Sequence, residues 1–126
     1  MTAIEFASHS QEWIAAWNAH DLERILAFYA DDVELISPFV ARLLPEAGGI
    51  LRGKEVLREY FTRALTAYPN VRFQFIRLYS GVQSCVLEYH SVNGLRAAET
   101  MFFNGKRKIK GVWAHYCDEP ASGFVE

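Results

Sequence analysis

Two Asn-Gly dipeptides constrain the fold of this chain more than any other feature. Asn93-Gly94 and Asn104-Gly105 each separate runs that are rich in apolar residues. Asn-Gly best fits the two-residue type I′ turn of a β-hairpin, because both of its positions need a positive φ. The flanking runs, 82–90, 95–103 and 108–117, are therefore predicted to form three consecutive antiparallel strands.

A fourth strand is expected just before these three. Val71, Phe73 and Phe75 alternate with polar residues, which is the period of a half-buried strand. The phase of the alternation slips at Ile76, and this predicts a β-bulge or a change of register. Since Ser80-Gly81 then turns the chain, the second half is predicted to be a four-stranded meander.

The first half of the chain has the period of helices. A first helix is expected to end at the polar stretch 18–20, and a third to follow Gly53. A second is expected to start after the capping residue Asp21, with an apolar stripe that reaches Tyr29, and to close at Asp31-Asp32. A short strand is expected over 33–37. The order ααβα followed by four strands predicts an α+β fold with helices on one face of the sheet.

The size of the chain predicts a single domain, 1–126. A chain of 126 residues buries roughly two thirds of the surface that it exposes when unfolded, and so can hold a core. The segment 40–51 is expected to be a loop and a candidate lid, and 118–126 a tail. Both cysteines, Cys85 and Cys117, are expected to be buried thiols.

Composition and motifs exclude several classes of function. Thirteen Lys and Arg against 15 Asp and Glu give a net charge of −2 without a basic stripe, which argues against nucleic acid and anionic membrane surfaces as partners. No apolar run reaches the roughly 20 residues of a membrane span. The N-terminal residues lack the basic and apolar regions of a secretory signal, so a cytoplasmic location is expected. Neither metal-ligand spacing nor a phosphate-binding glycine loop is present, so no metal and no cofactor are predicted.

The parity of the last hairpin sorts its residues onto two faces. A two-residue turn at Asn104-Gly105 places Glu99 opposite Lys110, and a four-residue turn shifts the pairs but not the faces. One face carries Ala97, Glu99, Met101, Phe103, Lys110, Val112, Ala114 and Tyr116; the other carries Thr100, Phe102, Ile109, Trp113 and His115. Because both faces are partly apolar, the second needs a cover. We therefore predict a homodimer through Phe102, Trp113 and His115.

The order of four short motifs resembles a known superfamily. The motifs are Trp17-Asn18-Ala19-His20-Asp21-Leu22, Phe28-Tyr29-Ala30-Asp31-Asp32-Val33, Ser37-Pro38-Phe39, and Gly53 at the start of the third helix. Together they are similar to the nuclear transport factor 2-like superfamily, in its SnoaL-like and ketosteroid isomerase-like branch. The resemblance implies a cone: a curved, mostly antiparallel sheet wrapped around three N-terminal helices, a cystatin-like α+β barrel with an apolar pocket.

The resemblance also implies a site, with departures from the isomerase pattern. The general-base aspartate of those isomerases falls at Ser37, whose hydroxyl has too high a pKa to hold a proton reversibly near pH 7. Their oxyanion-hole tyrosine corresponds to Trp13, an N–H donor only. Their protonated aspartic acid matches Glu99, so an acid persists where the base is missing. A ketosteroid isomerase of the standard mechanism is therefore not expected.

Trp, Tyr and Phe together make 18 of 126 residues, which predicts that these rings either line a cavity or cover a partner surface. The candidate catalytic residue is Glu99, as an acid or hydrogen-bond donor; its alternative is a salt bridge to Lys110. The candidate substrate-binding residues, at positions that line the pocket in the resemblance, are Trp13, Trp17, Tyr29, Ser37, Tyr60, Met101 and Tyr116.

Two functions remain open from the sequence. One is a pocket protein for a small apolar or ring-containing molecule, which as an isomerase, cyclase or dehydratase would use acid/base chemistry. The other is a non-catalytic ligand-binding or dimerisation module. The phase of strand 82–90 is open as well: the resemblance places Leu87 and Tyr89 inward, whereas a two-residue turn at Asn93-Gly94 places Glu88 near Glu99.

Overall fold

A computed structural model describes residues 1–117, and the predicted tail 118–126 lies outside them. The helices are α1 Ala3–Asn18, α2 Leu22–Leu26, α3 Pro38–Leu43 and α4 Lys54–Ala67. The strands are β1 Tyr29–Ile36, β2 Ile50–Arg52, β3 Gln74–Gly81, β4 Ser84–His90, β5 Arg96–Phe103 and β6 Ile109–Cys117. They form one sheet in the order β2-β1-β6-β5-β4-β3. All neighbours are antiparallel except β1 and β6, which are parallel.

The predicted α+β fold is confirmed: one curved, unclosed sheet carries the helices on its concave face. The N-terminus of α1 is fixed by a capping box, in which Thr2 and Glu5 each accept a backbone N–H of the other. One face of α1, with Phe6, Trp13 and Trp17, is buried toward the sheet. The four-stranded meander β3 to β6 is present as predicted, but its first strand starts only at Gln74, so Val71 and Phe73 precede it and Phe75 is exposed.

The second helix is shorter than predicted. Asp21 caps α2 by accepting the backbone N–H of Arg24, as expected, but the helix ends at Leu26 and Tyr29 begins β1. The backbone N–H of Ile109 donates to Phe28 at 2.8 Å, so pairing with the distant β6 outweighs the local helical period. The short strand expected over 33–37 is accordingly longer and starts earlier.

The segment 40–51 is not the loop that was expected. It holds the end of α3, a 3₁₀ turn at Pro45–Ala47 and the start of β2, which pairs with β1. Its Val40, Leu44 and Leu51 side chains are buried in the core. Pro38 is the first residue of α3, a position that proline favours because the first helical turn does not need its missing N–H. These anchored side chains do not support the prediction of a lid.

The last hairpin turns over the five residues 104–108 rather than over two, and this moves the predicted pairs. Glu99 lies opposite Ala114 rather than Lys110. Because this shift is an even number of residues, Glu99 and Ala114 both stay on the face that was predicted for them. A bulge between Phe102 and Phe103 places the first residues of β6 on the sheet face opposite to the predicted one. Ile109 is fully buried and Lys110 is exposed, the opposite of the prediction for both. The alternative salt bridge from Glu99 to Lys110 is therefore excluded.

The inner strands settle the phase that the sequence left open. Leu87 and Tyr89 are buried on the concave face, as the resemblance implied, and Glu88 lies on the other face. The predicted slip in β3 is present as a register shift between Phe75 and Arg77. Cys85 is buried on β4, where burial raises the pKa of its thiol to about 12.

The prediction for the second cysteine was wrong, because Cys117 is exposed at the end of β6. Within residues 1–117, no helix combines the length and the apolar character that crossing a membrane requires.

Candidate functional site

A cavity lies between α1, α4 and the concave face of the sheet. Together with its open mouth it has an empty volume of about 580 Å³. Aromatic and aliphatic side chains form most of its wall, and a few hydroxyl groups and one carboxyl group interrupt it. The lining residues are Trp13, Trp17, Tyr29, Leu35, Ser37, Phe39, Leu43, Tyr60, Phe61, Ala64, Tyr68, Val71, Phe73, Tyr89, Ser91, Val92, Glu99 and Tyr116.

Glu99 supplies the carboxyl group. It stands in the middle of β5, flanked by Leu87 on β4 and Ala114 on β6, and only 7% of its surface is exposed. Burial disfavours the charged form and raises the pKa of Glu99 to about 7, against an opposing effect of the Tyr89 hydrogen bond. The Tyr89 hydroxyl donates this bond to Oε1 at 3.3 Å. Glu99 can therefore gain or lose a proton near neutral pH, as an acid/base group must.

Phenol groups surround this carboxyl. Burial raises the pKa of Tyr29, Tyr60 and Tyr116 above the ordinary value of 10.0, and the nearby charge of Glu99 raises it further. These phenols are thus neutral hydrogen-bond donors and acceptors at any physiological pH.

Trp13 has a role that sequence reasoning did not find. Its Nε1–H donates to the Tyr29 hydroxyl at 3.0 Å, and both residues are about 2% exposed. The N–H that the resemblance places in an oxyanion hole is therefore engaged inside the wall. Trp13 orients Tyr29 and supplies an apolar surface to the cavity.

Ser37 occupies its position as a helix cap. Its Oγ accepts the backbone N–H of Phe39 at 3.2 Å and so fixes the start of α3. The hydroxyl is also close enough to Tyr60 and Tyr116 to lower the pKa of both phenols slightly against the larger effect of burial. Ser37, at the position of the general base in the isomerases, therefore has a structural role as a helix cap and adds a hydroxyl group to the cavity.

The aromatic wall of the cavity is centred on Phe73. Its ring stacks on Trp13 with centroids 5.6 Å apart, and it also contacts Trp17 at 5.3 Å and Tyr89 at 4.7 Å. The side chain of Asn18 binds both backbone groups of Phe73, accepting from its N–H at 2.7 Å and donating to its carbonyl at 2.9 Å. The end of α1 thereby fixes this part of the wall.

The structure brings most of the predicted site residues together. Glu99 and six of the seven candidate binding residues line the cavity. Met101 does not: it is fully buried in the core, where it pairs with Cys85 and Val112.

Sequence reasoning missed Phe73, Tyr89 and Phe61 as lining residues. Phe73 lay in a recognised alternating run, and the phase of Tyr89 was the one open alternative. Within the part of the chain that the structure describes, no three His, Cys, Asp or Glu side chains cluster as a metal site would require.

The fold and the cavity define a member of the nuclear transport factor 2-like superfamily. Residues 10–118 match the model of the SnoaL-like domain, and the chain belongs to that family. No curated protein matches the chain.

Two solved structures place the chain within this fold. A SnoaL-like protein of unknown function from Burkholderia thailandensis E264 is 39% identical, with a TM-score of 0.88 over 92% of this chain and 97% of that one. A protein of unknown function with a cystatin-like fold from Methylobium petroleophilum PM1 is 16% identical, with a TM-score of 0.72 over 100% of this chain and 84% of that one. At that identity the second likeness concerns the fold alone.

Proposed function

We propose that this protein binds a small, largely apolar, ring-containing molecule and that Glu99 donates a hydrogen bond to an acceptor oxygen of that molecule. As an enzyme it would use Glu99 as the acid of an isomerisation, cyclisation or dehydration. The proposal is carried by one observation: a carboxyl group with a pKa of about 7 stands in the wall of an aromatic cavity.

The distribution of polar groups supports an acceptor ligand. Apolar walls bind a ring by excluding water, whereas a few placed donors fix its orientation. Protonated Glu99 is one such donor, and the Tyr60 and Tyr116 hydroxyls line the same cavity. A carbonyl or hydroxyl oxygen would satisfy these groups, since a buried donor without a partner costs about 1 to 3 kcal/mol.

A second candidate function, non-catalytic binding, is favoured by the identity of Ser37. Among the described lining residues, Glu99 is the one carboxyl group, and burial raises the pKa of four of the lining phenols, Tyr29, Tyr60, Tyr89 and Tyr116. A reaction that needs a separate base and acid lacks the base here. The chain would then bind and shelter its ligand, or use Glu99 alone to move a proton.

Tryptophan fluorescence can test the binding proposal. Trp13 and Trp17 line the cavity and Trp113 is 52% exposed elsewhere, so a W113F background leaves two reporters at the site. We would titrate this protein with 1-indanone and with indane, two bicyclic probes that differ in a carbonyl oxygen. Indanone is expected to bind more tightly at pH 5.5, and this advantage should shrink above pH 8 as Glu99 ionises.

Variants of Glu99 separate donor strength from charge. Glu99→Gln keeps an N–H donor and should retain the preference for indanone without its pH dependence, whereas Glu99→Leu should lose the preference. Glu12→Gln, at an exposed position of α1, is the matched control. Equal binding of both probes at every pH, or no saturable binding, would contradict the proposal.

We also propose that the protein is a homodimer through the convex face of the sheet. Paired positions form a continuous outward row across all six strands, here called the outer row: Ile50, Ile36, Trp113, Thr100, Val86 and Tyr79. Phe102 lies beside this row, with its ring in a T-shaped contact 6.2 Å from that of Trp113. His115 is exposed on the same face.

The exposure of these rings supports a second copy as the cover. Trp113 is 52% exposed, Tyr79 51% and Phe102 36%, although apolar rings grouped on one sheet face are normally covered. A two-fold axis on the outer row would bury the same rings from both copies. Such an interface is self-complementary and leaves the cavity mouth on the other side of the sheet.

A further inference from the structure

A groove of mixed polar and apolar lining adjoins the cavity. The groove is formed by residues 67–72 at the end of α4 and by Ser91, Val92 and Asn93 after β4, and its volume is about 660 Å³ including open solvent. Four residues, Tyr68, Val71, Ser91 and Val92, line both the groove and the cavity. A molecule longer than the cavity would therefore extend into this groove.

Arg72 is held at the groove by the backbone on either side of it. The His20 Nε2 lies 2.8 Å from the carbonyl oxygen of Val71, and Asn18 binds both backbone groups of Phe73. Val71 and Phe73 are buried and line the cavity, whereas Arg72 between them is exposed and lines the groove. The anchoring of its two neighbours fixes the place from which the Arg72 side chain projects.

The charge of this groove is uncompensated. Arg72 takes part in none of the ion pairs among residues 1–117, although six other arginines do: Arg52, Arg58, Arg63, Arg77, Arg96 and Arg107. The described lining of the groove contains no acidic residue. Asn70, Asn93 and Ser91 add neutral hydrogen-bond donors to the lining of the same groove. An arginine with neighbouring neutral donors is an arrangement that suits a carboxylate.

We infer that the ligand is amphipathic: its ring occupies the cavity, and an anionic group, such as a carboxylate on a short chain, pairs with Arg72 in the groove. This inference rests on the proposed function of the cavity and names the class of molecule that it takes. It makes Arg72 a residue that determines specificity. Glu99 and Arg72 would act on opposite ends of the ligand.

Matched probes of increasing length test the inference. Phenylacetate, 3-phenylpropanoate and 4-phenylbutanoate would be compared with the corresponding alcohols, by calorimetry at pH 6 on the full chain. One carboxylate is expected to bind about three- to tenfold more tightly than its alcohol, in keeping with a partly solvated charged pair. Raising NaCl from 50 to 500 mM should weaken the carboxylate alone.

Substitutions assign the effect to the groove. Arg72→Gln should reduce the affinity of the carboxylate to that of the alcohol and leave the alcohol unchanged, and Arg72→Lys should restore part of the preference. Arg77→Gln, on the convex face beside Glu88, is the matched control and should change neither probe. Arg72 is exposed, so thermal unfolding of the variant should match the parent.

The outcomes separate the two proposals. A Glu99-dependent preference for 1-indanone over indane, together with no preference for carboxylates or no effect of Arg72→Gln, would overturn the inference and leave the proposed function standing. A failure of 1-indanone and of both phenyl series to bind would contradict the proposed function, and the inference with it.

Discussion

Tyr89 and Glu99 are diagonal neighbours on adjacent strands, and the Tyr89 hydroxyl donates a hydrogen bond of 3.3 Å to the Glu99 carboxyl inside an aromatic cavity. Both side chains are buried, at 1% and 7% exposure. One phenol donor does not offset the loss of solvent, so the fold favours the protonated acid. This relationship links the stability of the protein to the chemistry of the cavity.

Glu99 should make the folded state less stable as the pH rises. Its pKa is about 7 when folded against an ordinary 4.5, so its effect is absent below pH 4.5 and complete above pH 7. The loss across this window is at most roughly 3 kcal/mol, at 1.36 kcal/mol per pKa unit. Urea unfolding of Glu99→Gln should lack this loss. A Glu99→Gln profile parallel to that of the parent, with Glu12→Gln as the control, would refute the effect.

His9 should act in the opposite direction at acid pH. Its ring lies between Phe28 and Phe103, with centroids 4.9 and 4.8 Å away, and neither buried ring nitrogen has a hydrogen-bond partner among residues 1–117. Burial, assisted by the charge of Lys108, lowers the pKa of His9 to about 4 from 6.5. Stability is therefore complete above pH 6.5 and falls as the pH drops toward 4.

The variant His9→Phe should remove this acid-side loss, which is at most roughly 3 kcal/mol. The measurement is the free energy of unfolding in urea at pH 7 and pH 4, with Glu12→Gln, at an exposed position of the same helix, as the control. Glu99 and His9 change stability with pH in opposite directions, so the unfolding free energy of the parent should vary little between pH 4 and pH 7. It should rise with pH in Glu99→Gln and fall with pH in His9→Phe. An unchanged difference between the two pH values in His9→Phe would exclude the histidine as the cause.

The outer row should control the oligomeric state. Trp113→Arg places a charge at the centre of the proposed interface and should shift a dimer toward monomer, with at least a tenfold weaker dimer constant. Sedimentation velocity at micromolar concentration gives the readout. Val82→Arg, at a 92% exposed position of the β3–β4 turn, should stay dimeric. A parent protein that is monomeric at these concentrations would remove the proposal.

Asn18 should stabilise the wall that Phe73 forms. Asn18→Ala removes two hydrogen bonds to a partly buried backbone and should cost about 2 kcal/mol of unfolding free energy, at about 1 kcal/mol per bond. Asn18→Asp keeps the acceptor and loses the donor, so its loss should be intermediate. Chemical denaturation measures both variants, and an alanine variant as stable as the parent would show that water replaces the side chain at no cost.

The alternation of residues along the strands predicted most of the fold and part of the site. Alternation has a period of two, so an error of four residues in pairing moved Glu99 from Lys110 to Ala114 without changing its face. A bulge shifts the count by one, and this is why Ile109 and Lys110 exchanged faces. No local sequence pattern predicted that bulge, because a bulge depends on how the two paired strands fit together in the folded sheet.

Helical periodicity was less dependable where long-range pairing competes with it. Tyr29 fits the helical spacing of Leu22 and Leu26, yet it belongs to β1 because β6 offers a parallel partner. Long-range contacts also explain why the sequence did not predict Arg72 as a groove residue. Its position depends on the hydrogen bonds of Asn18 and His20, which lie about 50 residues earlier in the chain, to the backbone of its two neighbours.

Titration of the Glu99 side chain by ¹³C NMR tests the central claim most directly. With labelled glutamate and the Glu99→Gln variant to assign the signal, the carboxyl carbon should titrate with a midpoint of about 7. Saturation with 1-indanone should move that midpoint upward, since the ligand binds the protonated form. A midpoint near 4.5, unaffected by the probe, would show a solvated carboxylate and contradict the account.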